Sequence, residues 1–92
     1  MLNVTIAACE CLRSRLLKRN AAHDVALRFK RRKNGWKLRL DSKHPDDTCV
    51  THEGRDVLLM SAEVAKATDS LTLDATNVGS GTGLKLSRLA RP

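Results

Sequence analysis

The cysteines and histidines are the residues of this sequence with the clearest chemical potential, because thiol and imidazole groups can bind metals. Cys9 and Cys11 would lie about 200° apart around one helix, so they cannot chelate a single ion from it. Cys49 and His52 would point to opposite faces of a strand, and a site that added His44 would need that strand to bend. Buried thiols and loop histidines are commoner than metal ligands. We therefore expect no metal site.

Motifs for catalysis are equally weak. The sequence contains no Ser-His-Asp context and no paired carboxylates on a recognisable helix face. The glycine-rich segment 79–83, GSGTG, lacks the Lys-Ser/Thr pair that completes a phosphate-binding P-loop. Its backbone N–H groups could contact an anion, but a flexible turn with unusual φ angles is the commoner use of such glycines. We expect no enzyme activity, no catalytic residue and no cofactor.

Positive charge is concentrated in one stretch, ALRFKRRKNGWKLRLD, at positions 26–41. Seven of the 17 lysines and arginines lie between positions 28 and 39. The remaining ten equal the ten acids in number, so this stretch carries the formal net charge of +7. Clustered charge raises the local surface potential and attracts phosphates or acidic proteins. The composition therefore indicates an anionic partner for this part of the chain.

The same stretch is predicted to form an antiparallel hairpin. Apolar residues alternate with polar ones on both sides of Asn34-Gly35, with the period of two that is typical of half-buried strands. Asn-Gly is the preferred pair for a type I′ turn, because both central residues need a positive φ. A two-residue turn at this pair sets the register, and Phe29 is then expected opposite Leu40.

The outward side of this hairpin is predicted to carry a row of cations. In the predicted register Lys30 faces Arg39 and Arg32 faces Lys37, and like charges directly opposite each other destabilise a sheet. A row kept for solubility or for protection of a sheet edge is the competing interpretation. We predict that the row serves an anionic partner, and its members are Arg28, Lys30, Arg32, Lys37 and Arg39.

Short elements are predicted for the remaining segments. Thr5 is placed to cap a helix over about 6–19, and Ser61 is placed to cap a second, short helix that ends near 67. Further strands are expected at about 49–52, 55–60, 71–73 and 84–89. This order of elements predicts an α+β domain that is mainly β.

Six segments follow one another along nearly the whole chain: VTIAACECLRSRLL, VALRFKRR, WKLRLD, HEGRDVLLMSAEVAKAT, LTLDA and GSGTGLKL. Their order and spacing resemble the HesB/IscA family, the A-type iron–sulfur carrier proteins. The family's positions are occupied here by Thr5, 26–29, 54–60 with Ser61, Gly81, and 83–86. The resemblance implies a HesB-like domain of small antiparallel or mixed sheets with an N-terminal helix and a second short helix.

The ligand positions depart from that family. Its members bind a cluster or iron with one cysteine in the loop after the first long strand and a Cys-Gly-Cys near the C-terminus. In this chain the loop is reduced to 33–36, KNGW, and neither the loop nor the C-terminal region supplies these cysteines. An iron–sulfur cluster needs converging thiolates. We therefore expect a degenerate member that lacks the cluster ligands.

Length and composition set the remaining bounds. The 92 residues predict a single domain, 1–92, with one modest core. No apolar stretch approaches the roughly 18 residues of a membrane span, so no membrane interaction is expected. Three cysteines, an odd number, do not make a disulfide framework, and they favour a reducing cytoplasm. The sequence does not indicate which oligomeric state the protein adopts.

The functional expectation is a non-enzymatic accessory or binding module associated with iron–sulfur protein maturation. The alternative is a basic module that binds nucleic acid or another polyanion through the 28–39 hairpin. One tryptophan, one phenylalanine and no tyrosine leave too few aromatic rings for a base-stacking platform. An acidic protein partner would use the same cations equally well.

Overall fold

The computed structural model describes residues 2–33, 35–78 and 81–88. Within these ranges the chain forms two helices and seven strands. The elements in chain order are β1 (Asn3–Val4), α1 (Ile6–Lys18), β2 (Val25–Arg32), β3 (Gly35–Ser42), β4 (Thr48–His52), β5 (Arg55–Met60), α2 (Ala62–Ala67), β6 (Leu71–Val78) and β7 (Gly81–Arg88). Neither helix has the length and apolarity that a membrane crossing requires.

The strands form two mixed sheets. One has three strands in the order β1-β6-β7, with β1 parallel to β6 and β6 antiparallel to β7. The other has four strands in the order β3-β2-β5-β4, in which only the central β2–β5 pair is parallel. Helix α1 contacts strands of both sheets. The predicted α+β, mainly β class with small mixed sheets, an N-terminal helix and a second short helix is confirmed.

Helix α1 begins and ends close to its predicted bounds. The Thr5 hydroxyl accepts the N–H of Ala8 at 3.1 Å, which satisfies one of the unpaired donors of the first turn. The same hydroxyl donates to Asp74 in β6 at 2.7 Å. Leu12 and Leu16 on the apolar stripe are fully buried. The N-cap therefore starts the helix and also ties it to the three-stranded sheet.

The core lies between α1 and the sheets. Strand β5 is central in its sheet, and its last four residues, 57–60, are all fully buried. A strand with neighbours on both sides and cover on both faces is expected to be continuously apolar, as this one is. Helix α2 packs on β2 and β5. Its N-cap is Ser61, as predicted, whose hydroxyl accepts the N–H of Val64 at 3.3 Å.

The C-terminal strands differ from the prediction. Strand β6 runs to Val78 instead of ending at Leu73, and β7 begins at Gly81 instead of 84, so part of the predicted glycine loop is strand. Residues 79, 80 and 89 of the predicted loop and strand lie outside the described residues. Strand β1 was not predicted. Its parallel partner β6 lies far along the chain, and a two-residue strand has no period that a sequence pattern can reveal.

The β2–β3 register also differs from the prediction. Phe29 lies opposite Leu38, not Leu40, and Arg32 pairs with Gly35. Asn34 lies outside the described residues, but Gly35 is the first residue of β3 and not a central turn residue. The predicted register is thus wrong by two residues. A shift of two leaves every side chain on its predicted face, because side chains alternate with a period of two.

Candidate functional site: the basic hairpin

Arg28 is the member of the predicted cationic row that the structure removes from the surface. It is only 6% exposed. Its Nε donates to Asp41 Oδ2 at 2.6 Å, and its Nη2 donates to the Ser42 carbonyl at 3.2 Å. Nη1 and Nη2 donate to the two carboxylate oxygens of Asp47 at 2.8 and 2.6 Å. The prediction that Arg28 is exposed in the outward row is therefore wrong, because the side chain is buried and all three of its nitrogens are used within the chain.

These ion pairs determine the protonation of both carboxylates. Hydrogen bonding to Arg28 lowers the pKa of Asp47 to about 2, helped by the N–H of His44, which donates at 2.7 Å. Hydrogen bonding to Arg28 and to the Ser42 N–H lowers the pKa of Asp41 below its usual value. The two acids in turn raise the pKa of Arg28. All three groups are charged at neutral pH, and they hold the loop before β4 against the hairpin.

Four cations of the predicted row remain exposed, and we call them the basic face: Lys30, Arg32, Lys37 and Arg39. Lys30 lies directly opposite Lys37, which makes one like-charge pair within the basic face, although neither of the two pairs predicted from the sequence. Arg39 lies opposite Arg28, whose charge the two aspartates balance. Among the described residues, no member of the basic face forms an ion pair or a side-chain hydrogen bond. Their charge is therefore available to a partner.

An open groove of about 610 Å³ lies beside the basic face, between β2 and α2. Lys30, Arg32 and Arg39 line it from the hairpin, while Ser61 and Glu63 line it from α2. The groove is thus strongly cationic on one wall and carries a carboxylate on the other. No periodic pattern in the sequence predicts this groove, since α2 is about thirty positions away from β2.

The inner side of the hairpin holds the two aromatic rings. Trp36 stacks on Phe29 with ring centroids 4.7 Å apart and ring planes inclined by 14°. The guanidinium carbon of Arg31 lies 5.9 Å from the Trp36 ring centroid, within the range of a cation–π contact. Arg31 lies directly opposite Trp36 in the ladder. The tryptophan is therefore on the face opposite to the basic face.

The cysteines and histidines do not converge. Burial raises the pKa of the Cys9 thiol, and Cys11 and Cys49 are half-buried elsewhere. The Cys49 thiol donates weakly to the Asp47 carbonyl at 3.9 Å. In the described parts of the chain, no three histidine, cysteine or acidic side chains are grouped so that they could hold a metal ion. The thiols of this structure do not fit the thiolate set that an iron–sulfur cluster requires.

Two small mixed sheets around α1 define a HesB/IscA-like fold, which is the fold of A-type iron–sulfur carriers. A crystal structure of Escherichia coli SufA, a protein involved in biosynthesis of iron–sulfur clusters, superposes with a TM-score of 0.75 at 22% sequence identity, covering 95% of this chain and 84% of that one. A crystal structure of IscA with a [2Fe–2S] cluster gives a TM-score of 0.61 at 20% identity, covering 96% and 85%. No protein-family model and no curated protein sequence matches the chain. The predicted likeness is thus confirmed at the level of the fold.

Proposed function

We propose that this protein is a non-enzymatic binding module on an A-type carrier fold, and that it recognises an acidic partner protein through the basic face. The pair Lys30 and Lys37 is the observation that carries this proposal. Two ammonium groups opposite each other weaken the hairpin, and no described acid compensates them. An acidic partner would remove that repulsion on binding.

The proposal associates the module with iron–sulfur protein maturation. Its support is the fold shared with SufA and with cluster-bound IscA. The proposed role is accessory, without a cluster of its own, because the thiols do not converge. The three free cysteines support the reducing cytoplasm as the proposed compartment.

A protein partner is favoured over nucleic acid by the surroundings of the cations. Trp36 is stacked on Phe29 behind the hairpin, so it cannot stack on a base that contacts the basic face. Nucleic acid binding is therefore the alternative that the experiment has to separate.

The test compares two anionic probes, poly-glutamate and random-sequence duplex DNA. The variant Lys30→Gln/Arg32→Gln/Lys37→Gln removes three charges from the basic face. A matched control, Lys18→Gln/Lys66→Gln/Lys85→Gln, removes three exposed charges elsewhere. We expect poly-glutamate binding to weaken about tenfold or more in the first variant, with little change in the control.

Three other outcomes would contradict the proposal. Equal loss in both variants would show that only net charge matters. Preferential binding of DNA, with a slope of log affinity against log salt that falls by about 0.9 per lost phosphate contact, would support the nucleic acid alternative. Unchanged binding together with aggregation of the first variant would assign the cations to solubility.

A further inference from the structure

Strand β3 is an edge strand with an unpaired side. Its sheet has the order β3-β2-β5-β4, and within the described residues β2 is its single strand neighbour. In an antiparallel ladder, alternate residues of an edge strand direct their N–H and C=O groups away from the neighbour. Alternate residues of β3 before Ser42, whose N–H and carbonyl are bonded to Asp41 and Arg28, thus present a row of unpaired backbone donors and acceptors. This is the surface that strand addition uses.

A groove of about 360 Å³ adjoins the inner side of this edge, and its lining is mainly apolar, with Arg15 and Lys37 as its charged residues. Phe29, Trp36 and Leu38 form one wall, and Leu73 and Leu84 of the three-stranded sheet form the other. Strand β7, which carries Leu84, is itself the edge of its sheet. The two sheets are therefore separated along their edge strands β3 and β7, and mainly apolar side chains line the groove between these strands.

The two faces of β3 differ in chemistry. Lys37 and Arg39 are exposed on the outward face and belong to the basic face. Trp36, Leu38 and Leu40 are half-buried on the inward face. A strand placed beside β3 would set its own alternate side chains against these two rows. The complementary strand alternates acidic residues with apolar ones.

We propose that the acidic partner binds as an extended segment that adds to the free edge of β3. Its acidic side chains contact Lys37 and Arg39, and its apolar side chains enter the groove beside Trp36 and Leu38. This inference rests on the proposed function, since it uses the same cations, and it specifies how the partner binds. Backbone hydrogen bonds supply affinity, while the alternation of acid and apolar side chains supplies specificity.

A second copy of the chain is a poor occupant of this edge. Pairing β3 with β3 of another copy would place the exposed cations Lys37 and Arg39 of both chains on one face of the new ladder. Like charges across a ladder are destabilising. Charge complementarity therefore favours an acidic segment over self-association.

Trp36 provides the readout, because it is the sole tryptophan and lines the groove. The probe is a peptide of about eight residues that alternates glutamate and valine and contains no aromatic ring. Binding at the β3 edge should cover Trp36 and shift its fluorescence emission to shorter wavelength. Binding to the basic face alone would leave the emission unchanged, since Trp36 lies on the other side of the hairpin.

Two N-methylated versions of the peptide test the backbone contact. One is methylated on the amides of odd-numbered peptide positions and the other on the amides of even-numbered positions. Strand addition directs only one of these sets toward β3, so one version should bind about tenfold or more weakly and the other should bind like the parent. Equal binding of both would overturn strand addition, whatever the affinity.

Protein variants separate this inference from the proposed function. Leu86→Gln alters the groove wall on β7, outside the hairpin, and Leu17→Gln changes an exposed leucine of α1 as the matched control. We expect Leu86→Gln to weaken the alternating peptide and to leave poly-glutamate binding unchanged. Lys37→Gln should weaken both probes, and the two N-methylated peptides keep strand addition testable if Leu86→Gln unfolds.

Three results would overturn the inference. Poly-glutamate binding without binding of the alternating peptide would leave the proposed function standing and reject strand addition. Peptide binding with unchanged Trp36 emission would likewise reject strand addition and leave the proposed function standing. A dimer in sedimentation equilibrium that Lys37→Glu strengthens would assign the β3 edge to a second copy.

Discussion

Arg28 and Asp47 form a bidentate ion pair in which Nη1 lies 2.8 Å from Oδ1 and Nη2 lies 2.6 Å from Oδ2. The two side chains are only 7% and 4% exposed. The pair joins β2 to the loop before β4, and Asp41 on β3 closes it from the other side at 2.6 Å. Arg39 lies directly opposite Arg28, so Asp41 and Asp47 balance the Arg28 charge at the base of the basic face.

Replacing Asp47 by alanine should destabilise the fold strongly. Arg28 would keep a buried charge with only Asp41 and one carbonyl as partners, and breaking a buried pair from one side costs about 3–5 kcal/mol. The free energy of unfolding in urea measures the effect. The exposed neighbour Asp46→Ala is the control and should change it by less than about 0.5 kcal/mol.

The double variant Arg28→Met/Asp47→Leu distinguishes the effect of losing the ion pair from the effect of losing side-chain packing in the loop. Replacement of both partners by apolar side chains leaves no unpaired buried charge at position 28 or 47. The double variant should therefore be more stable than Asp47→Ala. A double variant as unstable as Asp47→Ala would contradict the ion-pair explanation and point to loop packing.

Stability should also depend on pH through Asp47. Its pKa is about 2 in the folded protein against the ordinary value of 3.8, so on acidification the unfolded chain takes up the proton first. The contribution of the pair is fully present above the unfolded pKa and is lost as pH falls through the folded pKa. We expect about 2 kcal/mol of unfolding free energy to disappear between roughly pH 5 and pH 2. Asp47→Asn should flatten the pH profile in this window.

The sequence predicted the helices and strands more accurately than the register in which the strands pair. The hydroxyls of Thr5 and Ser61 cap helices where expected, because capping depends on residues within one turn. The two-residue period assigned each hairpin side chain to its correct face. The register was wrong because registers that differ by two residues share the same faces, and only the turn could distinguish them.

The burial of Arg28 could not be read from the local pattern. Alternation places Arg28 on the same face as Lys30, and nothing nearby marks it as different. Its partner Asp47 is 19 positions away, and the loop that brings it back has no periodic pattern. The one available signal is Asp41, the first acid after the basic stretch, which binds Arg28 Nε.

The chain should not assemble an iron–sulfur cluster of its own. After anaerobic incubation with iron and sulfide, followed by removal of the excess, we expect a colourless protein. Cys9 is buried with a raised pKa, and the described thiols do not converge on one point. Visible absorption and chemical iron and sulfide analyses measure the result. A stable visible band with near-integral iron and sulfide would contradict the prediction.

Charge reversals should report the register of the hairpin in solution. Lys37→Glu places a carboxylate opposite Lys30, which replaces a repulsion by an attraction. The free energy of unfolding should then rise by about 0.2–1 kcal/mol. Lys43→Glu, an exposed lysine beyond the end of β3, is the control.

A double-mutant cycle makes this prediction specific to the pair. Lys30→Glu/Lys37→Glu restores a like-charge pair, so the two single effects should not add, and the coupling energy should be about 0.5–1 kcal/mol. The cycle with Arg32→Glu and Lys37→Glu should show a smaller coupling, because Arg32 pairs with Gly35 and is only diagonal to Lys37. A turn centred on Asn34-Gly35 would reverse this order, since Arg32 would then face Lys37. Comparison of the two cycles by urea unfolding therefore decides which of the two registers the hairpin adopts.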